Sequence, residues 1–583
     1  MIISSRQNPA KMSLRRTAAL SPALTSKNSL LVPLIDSPLP SPVLPSIVPS
    51  HGKRLPGAGK RKAFRIFRLL AVCAIILTLV RMPLLQLLGV PTLVQWLADD
   101  RNYQLPSILP VSASPVIMTN KQGRQKWTVH IPAGMEFPYA PSQIEDLSSQ
   151  CFQMSQQVSD GRHQPFDYSQ SDPNFIDITD RQSARQMTGL LSNEQIVIQK
   201  RSNLYCDSSL TFVMQSEDAG LGTTLMNLWI SYGLAQKQGR NFFIDDTNWA
   251  YGKFSKYFKS PPKPMCRQPP PAFRLPCPLQ ARHLVVSSSN APWIFGDTFK
   301  EYFKSPFAAS EAQQKVIFEM ARSGYEALFH LIGDDATYFQ SSIQRLNRDV
   351  RSKGGIAIGI HVRHGDSHPL EPQYKASHIP LDRYAKRVST IFHAHLQQAH
   401  GDTALSQSMA LHSKVMLASD DPEVYTSFEL GGAERAQNYI ALASKSALDA
   451  ARNEGLSNEN IGWEGGFFQD MFWSLGVEAS DYSELGGPFP SNRGPTEPKT
   501  LSVDSVAEQR HLRPSKESLQ LREWIARAYL LDVAVLGQSD RVICGLSSAS
   551  CRLLAVMMGW NKAVTHKSWQ NIDGNWHWSF IVP

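Results

Sequence analysis

The chain reads as an α/β protein with parallel sheets built in two blocks, and three observations predict it. Residues 208–246 run SSLTFVMQ, EDAGLGTT, LMNLWISYGLAQKQG and NFFIDD, with Ser216 between the first two and Arg240 between the last two. That is the order strand, glycine-bearing loop, helix, strand of a βαβ unit, which lays its two strands parallel. A second series starts at Gly354 with IAIGIHVR and passes through PLDRYAKRVSTIFHAHLQQA to KVMLASDD. The polar clusters HVRHGD, SDD and GLSS each fall where an apolar strand ends, and open parallel sheets bind ligands beyond the carboxyl ends of their strands. Two Rossmann-like domains facing a cleft are therefore expected, at 201–350 and 351–583.

The elements before them are of another kind. The 583 residues carry a net charge of +9, but residues 1–65 hold eleven Lys/Arg against one acid, Asp36, so residues 66–583 sum to −1. The body is nearly neutral and gives no reason to expect a nucleic-acid partner. The basic tail is rich in Ser, Pro and Ala and cannot build a core, which predicts a disordered segment over 1–65. Residues 66–91 contain Leu69–Val90, 22 residues interrupted by Arg81 and Pro83. An apolar run that begins this far from Met1 does not fit a cleaved signal peptide. A buried core helix is the alternative to a membrane helix of about 20 residues. A signal anchor is the expectation, with its N-terminus cytoplasmic by the positive-inside rule. Residues 92–200, with Pro at 106, 110, 115, 132, 138 and 141, read as a stem and lead-in.

Apart from Cys73 in the apolar run, six cysteines remain: 151, 206, 266, 277, 544 and 551. An even set without a CxxC pair fits disulfides in an oxidising compartment better than a zinc site. Beyond the Pro-rich loop 261–278, ARHLVVSSS reads as a strand and 310–346 as helical. Residues 455–520 read as a long Gly-, Ser- and Pro-rich connection. LQLREWIARAYLLDVAVLGQS is a strong helix, DRVICGLSS a strand, and SASCRLLAVMMGW the start of another helix.

Four groups carry chemistry. In HVRHGDSHPLEP, Arg363 can clamp phosphate oxygens bidentately and His361 and His364 can donate to the same group. Asp366 suits holding Arg363 or a ligand hydroxyl, and Glu371, in a Pro-framed loop, suits a general base; the bland alternative is a solvated surface turn. Gly220 and Gly222 precede a helix and would let backbone N–H groups approach a phosphate, or simply form a turn. Asp420 and Asp421 precede Pro422, a pattern that fits ligand binding and also a helix cap. No further acidic or His cluster stands near them to complete a metal site, so no metal is expected. Asp532 lies in the apolar helix YLLDVAVL and needs a partner, either a ligand or a neighbour such as Arg527.

Taken in order, these residues resemble a known family. His361-Val362-Arg363-His364-Gly365-Asp366 is similar to the H-V-R-R-x-D strand end of the α1,6-fucosyltransferases and their bacterial nodulation relatives, with Glu371 five residues on, where that family places its base. His378-Ile379-Pro380 followed by Tyr384, Asp420-Asp421-Pro422, Asp532 sixteen residues before Ser548, Ser547-Ser548-Ala549-Ser550-Cys551-Arg552 and Asn248-Trp249-Ala250-Tyr251 follow suit. The protein O-fucosyltransferases are more distant kin. The resemblance covers about 205–583 and implies a GT-B-like fold and an inverting transfer of fucose from GDP-fucose to a hydroxyl of a glycan or glycoprotein acceptor, with no cofactor or metal. It places Arg363 and His361 on the diphosphate and Ser547–Ser548 at a phosphate. Asp420 or Asp421, with Asp532, falls on the nucleoside and sugar side, and Cys544 pairs with Cys551. With the anchor, it implies a single-pass type II protein of the Golgi membrane with a luminal catalytic region. Three departures stand out: Ser367 replaces the family's lysine, His364 its second arginine, and no stretch reads as the SH3-like domain of the animal enzymes. Another GDP-sugar donor and a non-catalytic luminal lectin or scaffold are the competing readings.

Overall fold

A computed structural model describes residues 103–158, 174–177, 205–217, 220–278, 280–296, 299, 310–365, 368–440, 472–473 and 514–574. The basic tail, the candidate anchor Leu69–Val90, Asp366, Ser367 and most of 455–520 lie outside them. Among the described residues no helix is long and apolar enough to cross a membrane.

The chain opens with β1 (Tyr103–Gln104), β2 (Ser114–Asn120), β3 (Gln125–His130) and helix α1 (Pro141–Val158). The strands form an antiparallel sheet in the order β1-β2-β3. This corrects the expectation of a stem: 103–158 fold, with Trp127, Val129, Leu147 and Cys151 in the main core. The prolines at 115 and 141 stand at element boundaries. Pro141 opens α1, where a missing N–H costs nothing. Pro115 pairs with Val129 at one end of β2, while β1 meets only Thr119 and Asn120 at the other, so its lack of a donor breaks no bond to β1.

Next come β4 (Ser209–Val213), α2 (Leu221–Lys237), β5 (Asn241–Asp245), β6 (His283–Val286), a short α3 (Ala291–Phe295), α4 (Ser310–Leu328) and α5 (Gly333–Arg345). The strands form a three-stranded parallel sheet, order β5-β4-β6. The glycine expected to end α2 does so: Gly239 follows the last turn at φ +64, a left-handed conformation that costs glycine nothing. The loop expected over 217–224 is shorter, because α2 already begins at Leu221.

The rest is β7 (Ala357–Val362), α6 (Leu381–Leu396), α7 (Thr403–His412), β8 (Lys414–Ser419), β9 (Glu434–Arg435), α8 (Lys516–Leu536), β10 (Arg541–Cys544), α9 (Ala549–Met558) and β11 (Trp569–Asn571). They build a parallel five-stranded sheet, order β11-β10-β7-β8-β9. Its faces follow the two-residue period of a strand. Ile358, Ile360 and Val362 enter one apolar cluster with Tyr384 and Ile391 of α6. Ala357 faces the other way, into the cluster shared with Leu536 of α8, and a Cβ on Gly359 would stand 3.1 Å from that leucine. Covering both faces is what lets a strand as apolar as IAIGI exist. The larger cluster runs unbroken from Leu210 and Phe212 of β4 through α2 and α4 to Leu553 and Leu554 of α9, so the two α/β blocks share one core.

The six cysteines form three disulfides, Cys151–Cys277, Cys206–Cys266 and Cys544–Cys551. The pairing of Cys544 with Cys551 is the expected one.

Candidate functional site

Four neighbouring strands of the five-stranded sheet end side by side, and each ends in polar residues: β11 in Asp573 and Gly574, β10 in Ser547 and Ser548, β7 in Arg363 and His364, β8 in Asp420 and Asp421. The parallel register makes this inevitable, since His361 pairs with Cys544 on one side and Ala418 on the other.

At the centre, Arg363 Nη1 donates to Asp420 Oδ2. The backbone N–H of His364 donates to the other Asp420 oxygen at 2.8 Å. Asp421 forms the cap its sequence suggests, accepting from Glu423 N at 2.9 Å at the start of the 3₁₀ turn Pro422–Thr426, and its second oxygen lies 2.7 Å from His364 Nδ1. The His364 ring stacks on His378 with 3.9 Å between centroids. Asp420 and Asp421 thus hold the tip of β7, and Arg363 is aimed by a carboxylate before any ligand arrives.

His361 differs from its expected role. It lies within β7, buried, with Nδ1 lacking a hydrogen-bond partner among the described residues. Burial lowers its pKa to about 4, so at neutral pH it offers a ligand a neutral ring and no charge.

The glycines also differ. Gly220 is the N-cap of α2, and its carbonyl accepts from Thr224 N and Oγ1. Gly222 lies in the first turn, where a Cβ would stand 2.6 Å from Tyr529 Oη and 3.2 Å from Ala549 Cβ. Its smallness lets α2 abut α9; it is a packing glycine, and no phosphate need be invoked to explain it. The consequence is that the N-termini of α2 and α9 meet. Ser548 caps α9 without a side-chain hydrogen bond, and Tyr529 Oη pairs with Ser550 Oγ at 2.8 Å beside it. Helix N-termini present unpaired N–H groups and partial positive charge, a setting suited to an anion.

Asp532 makes no hydrogen bond among the described residues. Burial pushes its carboxyl well above the ordinary carboxylate range, with Arg435 pulling the other way. Arg435 stacks over the Tyr425 ring at 3.9 Å. The alternative of an Asp532–Arg527 pair is overturned: Arg527 makes a bidentate bond to Asp335, at 2.8 and 2.7 Å.

Glu371 is held on every side. Its oxygens accept from Arg383 Nη1 and Nη2 at 3.0 and 2.9 Å, from Gln373 Nε2 at 2.7 Å and from the Gly574 N–H at 2.7 Å. The Arg383 guanidinium keeps the carboxyl below its usual range. Behind this loop Asp573, fully buried, accepts from the N–H groups of Leu370, Glu371 and Ser547 at 3.0, 3.1 and 3.3 Å. One carboxylate therefore ties the Glu371 loop to the serine loop.

Arg383, Tyr529, Asp573 and Gly574 are site residues that the sequence reading missed. The signal for Asp573 is the Asp573-Gly574 pair in WQNIDG: turn-forming residues closing a short strand. Arg383 carried none, because a lone arginine in a helix start is most often solvated. Among the described residues no group of three His, Cys, Asp or Glu side chains could hold a metal ion.

Compared with known proteins, the chain matches no family model, and no curated protein is similar to it.

Proposed function

We propose that the chain is an inverting glycosyltransferase that moves fucose from GDP-fucose to a glycan hydroxyl. The observation that carries this reading is the convergence of Arg363, the Ser548 helix N-terminus and Glu371 along one sheet edge. The two α/β blocks would form a GT-B-like pair, and the protein would be anchored in the Golgi membrane by Leu69–Val90 with this site in the lumen, where disulfides persist. The diphosphate would lie against Arg363 and the α9 N-terminus, and the nucleoside toward Asp532, Tyr425 and Arg435.

The reaction then needs three things. Glu371 takes the proton of the acceptor hydroxyl as its oxygen attacks the anomeric carbon. The bond from that carbon to the diphosphate breaks on the opposite face, which inverts the centre. The negative charge growing on the leaving GDP is stabilised by Arg363 and the helix N-terminus. A carboxylate with a lowered pKa is a weak base, but it is ionised throughout the neutral range, and oxocarbenium character at the sugar makes late proton removal sufficient.

The bidentate Arg383 clamp on Glu371 favours a second reading, a luminal sugar-binding module whose acid is purely structural. Glu371→Gln separates the two. Full-length protein is given GDP-fucose or GDP-mannose with a mixed glycan acceptor, and GDP release is followed. The transferase reading expects acceptor-stimulated release from GDP-fucose, falling about 100-fold or more in the variant, with GDP binding retained. No release from the wild-type protein with either donor sinks it.

A further inference from the structure

A second feature adjoins Glu371 from outside the donor edge. A cavity of about 410 Å3 opens between α6 and the end of β11, walled by Arg383, Lys386, Arg387 and Thr390 of the helix and by Asn571, Ile572 and Gly574. The helix residues are spaced i, i+3, i+4, i+7, which puts them on one stripe. The wall holds three cations and no carboxylate among the described residues. Arg383 is engaged by Glu371, and Lys386 by Asp382 at 2.7 Å; Arg387 has no ion-pair partner among the described residues.

The strand side adds donors. β11 is the edge of its sheet. Val542 N–H bonds to Ser568 O and Ile572 N–H to Cys544 O, so in the parallel ladder it is Gln570 and Ile572 that face β10. Asn571 turns its backbone N–H to the outer edge, where no strand pairs with it among the described residues. A solvated helix face interleaves both signs of charge. The charged groups of this wall are all cations, set beside the Thr390 hydroxyl, the Asn571 amide and Ile572, and its volume is in the range of a small-molecule site.

We propose that this cavity is an acceptor subsite for an acidic group on the glycan, a carboxylate or a sulfate ester. The proposal rests on the transferase reading and names its substrate class. The donor groups Arg363, Asp532 and Ser548 do not wall the cavity, whereas two of its wall residues, Arg383 and Gly574, bond directly to the Glu371 carboxylate. A molecule whose hydroxyl reaches Glu371 therefore has the cavity next to it. An anion seated there also competes with Glu371 for the Arg383 guanidinium, which would loosen the clamp and strengthen the base when an acidic acceptor is bound.

The test is calorimetric binding to the full-length protein, with no donor present. The probes are a neutral oligosaccharide, the same oligosaccharide with one sialic acid, the same with one sulfate ester, and inorganic sulfate alone. The expected result is about tenfold tighter binding of at least one acidic glycan at low salt, reduced at high salt because the cations are exposed. That preference should fall to about one in Lys386→Ala/Arg387→Ala and in Arg387→Glu, with thermal melts confirming the fold. Sialylated and sulfated probes distinguish carboxylate from sulfate recognition. Equal binding of neutral and acidic glycans, a preference that survives both variants, or binding of inorganic sulfate alone would overturn the proposal. Absent GDP-fucose turnover would count against the transferase reading only, since binding is read without turnover.

Discussion

The two parallel sheets end their strands differently. At the carboxyl ends of β4, β5 and β6 stand Met214, Asp245 and Ser287, and each is satisfied within its own block: Met214 N–H by the Asp245 carbonyl at 2.8 Å, the Asp245 carboxylate by Arg274 at 3.3 Å, Ser287 N–H by Asn290 at 2.8 Å. Beyond β7, β8, β10 and β11 the chain delivers Arg363, Asp420, Ser547 and Asp573, which bond in pairs from strand to strand across the sheet edge, while Ser548 leaves a helix N-terminus uncapped by any side chain. Topology provides the same place twice. A site arises where the polar groups are tied to one another yet still turned outward, and the first block instead uses that end, and its glycines, for packing.

The largest effect is expected where the first block is most tightly packed. A Cβ on Gly324 of α4 would stand 2.2 Å from the Trp229 carbonyl of α2, and one on Gly233 would stand 2.3 Å from the Met320 carbonyl. The helices cross backbone to backbone, so the obstacle cannot rotate away. Gly324→Ala should cost about 3 kcal/mol, the upper end of overpacking, read as a lowered denaturant midpoint. A loss under about 0.5 kcal/mol would show that the helices at this crossing move apart at little cost.

Asp573→Asn is a smaller change, placed in the second block. An amide cannot accept at both oxygens, so either the Glu371 N–H or those of Leu370 and Ser547 lose their partner. The expected cost is about 1–3 kcal/mol. Hydrogen exchange should quicken in both 368–374 and 545–550, whereas quickening of one loop alone would mean that Asp573 does not tie them together.

The smallest effect has the opposite sign. Burial raises the Asp532 carboxyl above its value in the unfolded chain, so its ionisation opposes folding. The stability is fully present below the ordinary carboxylate range and is lost as pH rises toward the raised value. Asp532→Asn should therefore stabilise the protein at pH 7 by about 1 kcal/mol and flatten the dependence of Tm on pH above 4, while weakening GDP binding. A lower Tm at pH 7 would mean that the carboxylate has a cationic partner in the folded state.

Much of the site was legible in the residues. The strand IAIGIHVR announced itself by its apolar run, and the acids of SDDP by the cap pattern that Asp421 does form. The strand-end position of each cluster placed Arg363, Asp420 and Ser548 on one edge, because parallel strands of one sheet finish on the same side. The folded segment 103–158 was not legible, since its prolines read as breakers until pairing showed that they sit at ends. Nor was the use of Gly222, which depends on how closely Tyr529 approaches.

What local pattern fixes is therefore element type, strand direction and which end of each strand is polar: the two-residue and 3.6-residue periods and the turn residues act over a few neighbours and need no partner. What tertiary structure alone decides is which partner each charge finds. Arg527 chooses Asp335 over Asp532, and Glu371 meets Arg383, twelve residues on, and Gly574, more than two hundred residues on. Those choices depend on distances between elements remote in sequence, and a buried charge gains or loses its ionised form according to whether such a partner stands within reach.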